Sequence, residues 1–383
     1  MKEKLFYIAN IRMPTERAHG IQIMEMCQAF AHLGYDVELV VTNRISGITD
    51  DPFEFYDIPA SFKITKLWCL NGIRFGRIGF WVQSVTFAES VAWYVLRKKG
   101  IFYARDELLA VYLKLSGKKV SWETHMGRNN ILVKFIKLLK IPVVAITDGL
   151  KDVYLKDGMS GENILTAPDG ADIGRFDIQL SKHEARKKLN LPLDKKIILY
   201  KGSLTPWKGA ETLAEATKFS NILDTQFVFI GGNPPDVEEF KKKFGHIKNI
   251  SILGNRPRKE TPIYQKAADL LVIPNSAKED ISKLYTSPMK LFGYMAGGVP
   301  IIASNLPSIK EILGENDAYF FIPDDAKSLG EVIDTVFSNM GEAEQKATKA
   351  LLKVREYSWE KRARGIIDFL KKFESKKSLL NTK

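Results

Sequence analysis

Alternation is what most constrains this chain. Short runs rich in β-branched and aromatic residues trade places with amphipathic stretches along most of the sequence. Strands are expected at 5–9, 37–42, 62–67, 101–104, 120–123 and 143–147, with helices between them at 17–33, 78–99, 107–116, 129–140 and 149–157. After about residue 180 the pattern starts afresh. Strands are expected at 197–201, 227–230, 250–253, 270–273 and 301–303, and helices at 208–218, 235–244, 259–267 and about 289–296. Apolar runs such as IILY and LLVIP have no polar face, as in parallel strands covered on both sides. Two such series predict an α/β protein with two doubly wound domains, and 383 residues are enough for two cores. The joint is expected near 168–195, and a last helix near 359–373 follows both domains. Ligands of such sheets lie at the carboxyl ends of the strands, so the expected site is the cleft between the domains.

Charge and cysteine usage narrow the function classes. A net charge of +12 suits nucleic acid, anionic lipid or an anionic substrate. Basic residues are spread along the chain and no nucleic-acid-reading motif is present, so no nucleic-acid partner is expected. Cys27 and Cys69 have neither metal-ligand spacing nor a disulfide framework, which suits a reducing cytoplasm. The first residues, MKEKLFYIANIR, do not read as a signal peptide. Residues 78–96 lack Lys and Arg but contain Gln83, Ser84, Thr86, Glu89 and Ser90, so they read as a core helix with one polar face. Residues 128–140, RNNILVKFIKLLK, hold four basic residues and no acid. They read either as a core helix with a solvated basic edge or as a peripheral contact to anionic lipid.

Residues that follow expected strands are the candidates for chemistry. Gly20, in the stretch after the first strand, permits close backbone approach to a ligand, or is a plain turn or packing glycine. His125 follows VSWET directly, where it could donate to a substrate hydroxyl or be merely structural. In KGSLTPWKG, Gly202 allows a tight exit from the strand, and Ser203 and Lys208 could hold an anion, although a lysine here could also be simply solvated. In YTSPMKLFGYMAGGVPIIAS, Thr286, Ser287, Pro288 and Met289 open a helix that Gly297 and Gly298 close. Its unpaired N–H groups and partial positive charge suit a phosphate, with Lys290 adding a formal charge in the first turn, or the segment is an ordinary loop–helix–strand unit of an α/β domain. No DxD, HExxH or Cys/His cluster supports a metal site, so no metal or other cofactor is expected. No GxGxxG fingerprint, Walker loop or GxSxG elbow is present.

Taken in order, these segments resemble a GT-B-fold retaining glycosyltransferase of family 4, among the glycosyl transferases group 1. RAHGIQIMEMCQAFAHLGYDVELV is similar to the family's first loop and helix, VSWETHMG to its E-x-H strand end, and APDGADIGRFD to its interdomain segment. YKGSLTPWKG resembles the diphosphate loop, ILGNRP the loop near the base, YTSPMKLFGYMAGGVPIIASNLPSIKEIL the donor signature, and YSWEKRARGIIDFLKKF the last helix. The resemblance implies two Rossmann-like domains facing across a cleft. They would be an acceptor-side domain over 1–178, a nucleotide-sugar domain over 179–355, and a helix over 356–383 that crosses back to the first. It implies metal-independent transfer from a nucleotide-sugar donor to a glycan or lipid-linked acceptor in polysaccharide or glycolipid biosynthesis. Such an enzyme would be cytoplasmic, with peripheral membrane contact through 128–140 as an option. His125 and Lys208 would be the catalytic pair. Gly20, Gly202, Ser203, Arg256, Thr286, Ser287, Pro288, Met289, Lys290 and Gly293 would bind the donor. The chain departs from the family pattern at Ser203, often Arg, and at Gly293 and Tyr285, where the family often has Glu. Gly293 keeps open an alternative, a catalytically impaired relative that acts as a binding partner.

Overall fold

The computed structural model describes residues 2–381. The chain divides into two compact units, one made of 2–168 with 359–381 and the other of Asp169–Ser358. The divisions fall at 168/169 and 358/359, against the expected 178/179 and 355/356. Hydrogen bonds account for the shift. The Ala171 N–H donates to the Tyr357 carbonyl at 2.9 Å, and the Asp169 N–H to Ser287 Oγ at 2.9 Å. The stretch before residue 179 is thereby tied to the second unit.

The first unit runs β1 (Lys4–Ala9), α1 (Ala18–His32), β2 (Asp36–Thr42), α2 (Pro52–Tyr56), β3 (Lys63–Leu67), α3 (Gly76–Val95), β4 (Ile101–Ala104), α4 (Glu107–Leu115), β5 (Val120–Thr124), α5 (Ile131–Leu138), β6 (Val143–Ala145), α6 (Asp148–Lys156) and β7 (Ile164–Thr166). Its seven strands are all parallel, in the order β3-β2-β1-β4-β5-β6-β7. Strand order reverses beside β1, between β1 and β4, which in an open α/β sheet is where a ligand crevice forms.

The second unit runs α7 (Lys182–Lys188), β8 (Lys196–Lys201), α8 (Ala210–Ala216), β9 (Thr225–Ile230), α9 (Pro234–Phe244), β10 (Ile250–Gly254), α10 (Thr261–Ala267), β11 (Leu270–Ile273), α11 (Met289–Gly297), β12 (Ile301–Ser304), α12 (Pro307–Lys310), β13 (Tyr319–Phe321), α13 (Ala326–Ser338) and α14 (Met340–Lys353). Its six strands are parallel, in the order β10-β9-β8-β11-β12-β13. Here the order reverses between β8 and β11. Both faces are buried, as the unbroken apolar runs require. Ile197 and Leu199 face a core shared with α10 and α11, while Ile198 and Tyr200 face a core shared with α8, α9 and α13. The chain then re-enters the first unit as α15 (Trp359–Asn381), which packs on α1.

One expectation holds only in part. The helix at 78–99 is observed as α3, and its second half is a core helix that buries Phe87, Ala88, Val91 and Val95, but its first half is faced the other way. Gln83 and Ser84 are buried, whereas Ile78, Trp81, Val82 and Val85 are exposed.

Candidate functional site

Each unit gathers polar groups at the carboxyl ends of its strands. In the second unit the centre is the turn after β8. Gly202 follows the strand, and a Cβ built on it would lie 3.0 Å from the Tyr200 hydroxyl oxygen and 3.8 Å from Lys290 Nζ. The Tyr200 hydroxyl donates to the Ser203 carbonyl at 2.5 Å, which folds the loop back on the strand. Ser203 Oγ accepts from the Thr205 N–H at 3.3 Å and lies 3.2 Å from Thr205 Oγ1, so its hydroxyl is used within its own loop. Pro206–Lys208 forms one 3-10 turn closed by Gly209 at φ +71. Only glycine fits position 209, because a Cβ would sit 1.6 Å from the Pro274 carbonyl oxygen.

Two amines meet at this turn. Lys208 lies over the Trp207 ring at 3.7 Å, and burial lowers its pKa to about 7. Lys290, in the first turn of α11, lies 4.8 Å from the Tyr200 ring centroid. Its Nζ is buried without a hydrogen-bond partner, and burial together with the nearby Lys208 charge holds its pKa well below that of a free lysine. Neither amine has a carboxylate partner among the described residues. A third buried group belongs to the same turn. Both polar atoms of the Asn275 side chain lack partners, and Asn275 follows the Pro274 that abuts Gly209. Orphan buried polar groups are uncommon in folded proteins and call for a reason. Amines clustered at a helix start that offers free N–H groups provide one, an anion.

The remaining expected donor residues fall out as follows. Pro288 is the N-cap of α11 and Met289 its first residue, with no side-chain cap to occupy the terminal N–H groups. The Thr286 hydroxyl donates to the Ile281 carbonyl, and Ser287 Oγ accepts from Asp169. Gly293 is buried on α11, and a Cβ there would lie 3.1 Å from Phe176 Cζ and 3.7 Å from Gln265 Nε2. An aromatic edge and an amide therefore stand beside the position where the family pattern has a carboxylate. Tyr285 lies in the turn of π-helix before α11. Arg256 lines a recess of about 370 Å³ on the β10 edge, with Leu253, Glu260, Tyr264 and the turn after α7.

In the first unit the centre is Glu123, fully buried at the end of β5. It accepts hydrogen bonds from Tyr103 Oη at 2.5 Å, Gln22 Nε2 at 2.9 Å and Arg362 Nη2 at 2.9 Å, and Arg105 Nη1 lies 3.5 Å away. Burial alone would raise its pKa; Arg362, His125 and Arg105 outweigh burial and hold it well below the ordinary carboxylate value. His125 Nε2 lies 2.7 Å from Glu123 Oε1. An ionised carboxylate only accepts, so the imidazole N–H points to Glu123 and Nδ1 carries the free lone pair. Burial, joined by the Arg105 charge, lowers the His125 pKa to about 4, so the ring is neutral near pH 7. The geometry changes the expected chemistry: His125 is built to accept a hydrogen bond rather than donate one. His19, one residue before Gly20, is pushed to about 3 chiefly by burial and then by Arg105. Gly20 itself has a packing reason, since a Cβ would lie 2.2 Å from the Tyr56 hydroxyl.

Sequence reasoning missed Arg105, Gln22 and Arg362. Arg105 directly follows β4, so the strand-end rule that selected His125 could have selected it. Arg362 lies 239 residues from Glu123, and no local signal points to it. A recess of about 840 Å³ lies at the amino ends of β1–β3 and is lined by Lys4, Asp36 and Lys63, away from the strand ends where such sheets bind ligands.

Two doubly wound parallel sheets in one chain, each with its polar groups at the strand carboxyl ends, define a GT-B α/β fold. Solved structures agree. HepE of Anabaena, solved with UDP-glucose, matches 97% of this chain and all of its own at a TM-score of 0.75 and 14% identity. Sucrose-phosphate synthase of Thermosynechococcus elongatus matches 97% of this chain and 99% of its own at a TM-score of 0.76 and 17% identity. Within that class, residues 181–353 match the family model described as glycosyl transferases group 1, and the second unit belongs to that family. TuaC of Bacillus subtilis, a glycosyltransferase named for teichuronic acid biosynthesis, is 29% identical over 193 residues, 50% of this chain and 45% of its own. D-inositol 3-phosphate glycosyltransferase of Corynebacterium urealyticum is 25% identical over 219 residues, 54% of this chain and 50% of its own. The chain thus spans about half the length of these curated relatives.

Proposed function

We propose that this protein is a metal-independent retaining glycosyltransferase that moves a sugar from a nucleotide-sugar donor to a glycan or lipid-linked acceptor. The observation that carries this reading is the pair of buried amines, Lys208 and Lys290, without a carboxylate beside the start of α11. A nucleoside diphosphate leaving group develops negative charge, and amines with free helix N–H groups stabilise charge where it develops. The sugar then passes through an oxocarbenium-like state. No carboxylate nucleophile is invoked: the acceptor hydroxyl attacks from the face the diphosphate leaves, and the phosphate takes its proton. For His125 the reading is a contact to the transferred sugar through its Nδ1 lone pair. The UDP-glucose complex of HepE and the biosynthetic name of TuaC lend support to the donor class and to a role in polysaccharide or glycolipid assembly.

A thermal-shift screen with UDP-, GDP- and ADP-sugars tests the donor. A donor at a hundred times its Kd adds about 2.7 kcal/mol of stability. Lys208→Ala is expected to nearly abolish transfer while leaving the fold intact, and wild-type turnover in that variant removes the diphosphate assignment. A chelator is expected to leave turnover unchanged.

Phe176 beside Gly293 favours a second reading, a relative that keeps the fold and has lost donor binding. Calorimetry separates the two, because heat of binding with none of the donors supports the second.

A further inference from the structure

The first half of α3 wears its apolar side outward. Ile78 is 78% exposed and Trp81 50%, and Val82 and Val85 continue the stripe. Their i, i+3, i+4, i+7 spacing would normally mark a core-facing stripe. The helix cannot roll to hide it, because its other side is fastened. A Cβ on Gly79 would fall 1.7 Å from the Gly72 carbonyl oxygen, so two backbones touch there. Gln83 Nε2 donates to Asn10 Oδ1 at 2.9 Å, and Asn10 Nδ2 donates to Ser84 Oγ at 3.0 Å. The segment entering the helix adds Trp68, Leu70, Ile73 and Phe75, all exposed, and the far end adds Trp93 at 78% and Leu96. Exposed apolar residues grouped in this way mark an interaction site.

The charge around it selects the partner. Residues 68–88 carry Arg74 and Arg77 and no carboxylate. Tryptophan and phenylalanine flanked by arginine suit the boundary between acyl chains and anionic headgroups. No helix among the described residues is long and apolar enough to cross a membrane, so α3 would lie on the surface. Asn10 follows β1 and Trp68 follows β3, which places the first half of α3 and the segment entering it beside the carboxyl ends of the first sheet, the end where ligands of such sheets bind.

We propose that the surface formed by residues 68–96 docks the protein on an anionic lipid leaflet, with α3 lying in the interface. This holds whatever the donor or acceptor is.

Co-sedimentation with vesicles of equal parts phosphatidylglycerol and phosphatidylcholine, set against phosphatidylcholine alone, tests it. Wild type is expected to pellet with the mixed vesicles at low salt, with a blue shift of tryptophan emission, and to be released by salt. Ile78→Asp with Trp81→Asp is expected to lower partitioning by about tenfold or more. Arg77→Ser is expected to lower it by about fivefold. Both positions are exposed, and unchanged circular dichroism and Tm confirm folding. Unchanged binding of UDP-, GDP- and ADP-sugars in these variants separates the docking surface from the donor site. Failure of wild type to pellet with the anionic vesicles overturns the proposal. So does wild-type partitioning of the α3 variants, or a loss caused only by Lys134→Glu in α5. Light scattering that shows a dimer abolished by the same α3 substitutions would assign the surface to a second copy instead.

Discussion

At the scale of single residues, the second unit is shaped by where amines sit. Lys208 with a pKa near 7 is half-protonated at neutral pH in the empty protein, and burial with the nearby Lys208 charge holds the Lys290 pKa well below that of a free lysine. A lysine depressed in the folded state binds fewer protons there than in the unfolded chain, so stability of the empty protein rises as pH climbs from about 7 toward the unfolded value near 10.4. A diphosphate reverses the shift by pairing with the ammonium form. Donor binding at pH 8 should therefore take up protons, and affinity should fall as pH rises above 7. Isothermal titration of UDP, GDP and ADP in buffers of different ionisation enthalpy reads this directly, and a binding event with no proton uptake at pH 8 contradicts the assignment. His125 behaves differently. With its pKa near 4 it stays neutral throughout this range and contributes no step of its own. Gly293 is a residue-scale puzzle that the structure sharpens. Its would-be Cβ lies 3.1 Å from Phe176, so Gly293→Glu alone should leave donor affinity unchanged. The same substitution with Phe176→Ala, which opens the space, is the variant expected to raise affinity in calorimetry. A rise in the single variant would show that Phe176 gives way.

At the scale of elements, the loop after β8 depends on one glycine and one tyrosine. Gly209 is left-handed against the Pro274 carbonyl, and the Tyr294 hydroxyl on α11 accepts the Lys201 N–H at 2.8 Å, pinning that helix to the strand end. Gly209→Ala should cost about 2 kcal/mol or more and also displace Lys208, seen as a lower urea midpoint together with weakened donor binding. Unchanged stability would mean that the turn can refold around a side chain. The same elements show what could be read from sequence. Strands such as 197–201 and 270–273 were legible because burial on both faces leaves no polar interruption. β7 was not; like β6 it is three residues long, but β6 lies in the longer apolar run 141–146 and β7 does not. Nor were β13, α13 and α14, which lie in the stretch after 304 where no element was assigned before the last helix. The helix at 78–96 was legible as a helix but not as to its facing. Its moment is weak because both sides are largely apolar, and its orientation comes from Gly72 and Asn10, partners that the local pattern does not name.

At the scale of the whole molecule, the first unit is built from two distant stretches of chain. Residues 2–168 supply the sheet, and α15 returns after the entire second unit to lie on α1. Its reach into the site is Arg362, which donates to Glu123 Oε2 at 2.9 Å and through Nε to the Pro168 carbonyl at 3.0 Å. The final helix thus supplies charge as well as packing. Glu123 is fully buried, and without Arg362 its charge is offset by Arg105 and by the hydrogen bonds from Tyr103, Gln22 and His125. Breaking a buried pair on one side costs about 3–5 kcal/mol because the other charge stays buried. Arg362→Met should therefore lower the stability of the first unit by that order, and adding Glu123→Gln should restore part of it, since the uncompensated charge then disappears. A double-mutant cycle measures the coupling. The pH dependence gives an independent check. A carboxylate whose pKa is depressed in the fold contributes stability that is present above its unfolded value near 4.3 and lost as pH falls through the folded value. Wild type should lose this contribution on acidification. Arg362→Met should lose less, because the largest favourable charge on Glu123 is already gone. If Arg362→Met and wild type showed the same acid profile and the same urea midpoint, α15 would be held by its packing on α1 alone and Glu123 would owe its charge to Arg105 and its hydrogen-bond donors Tyr103, Gln22 and His125.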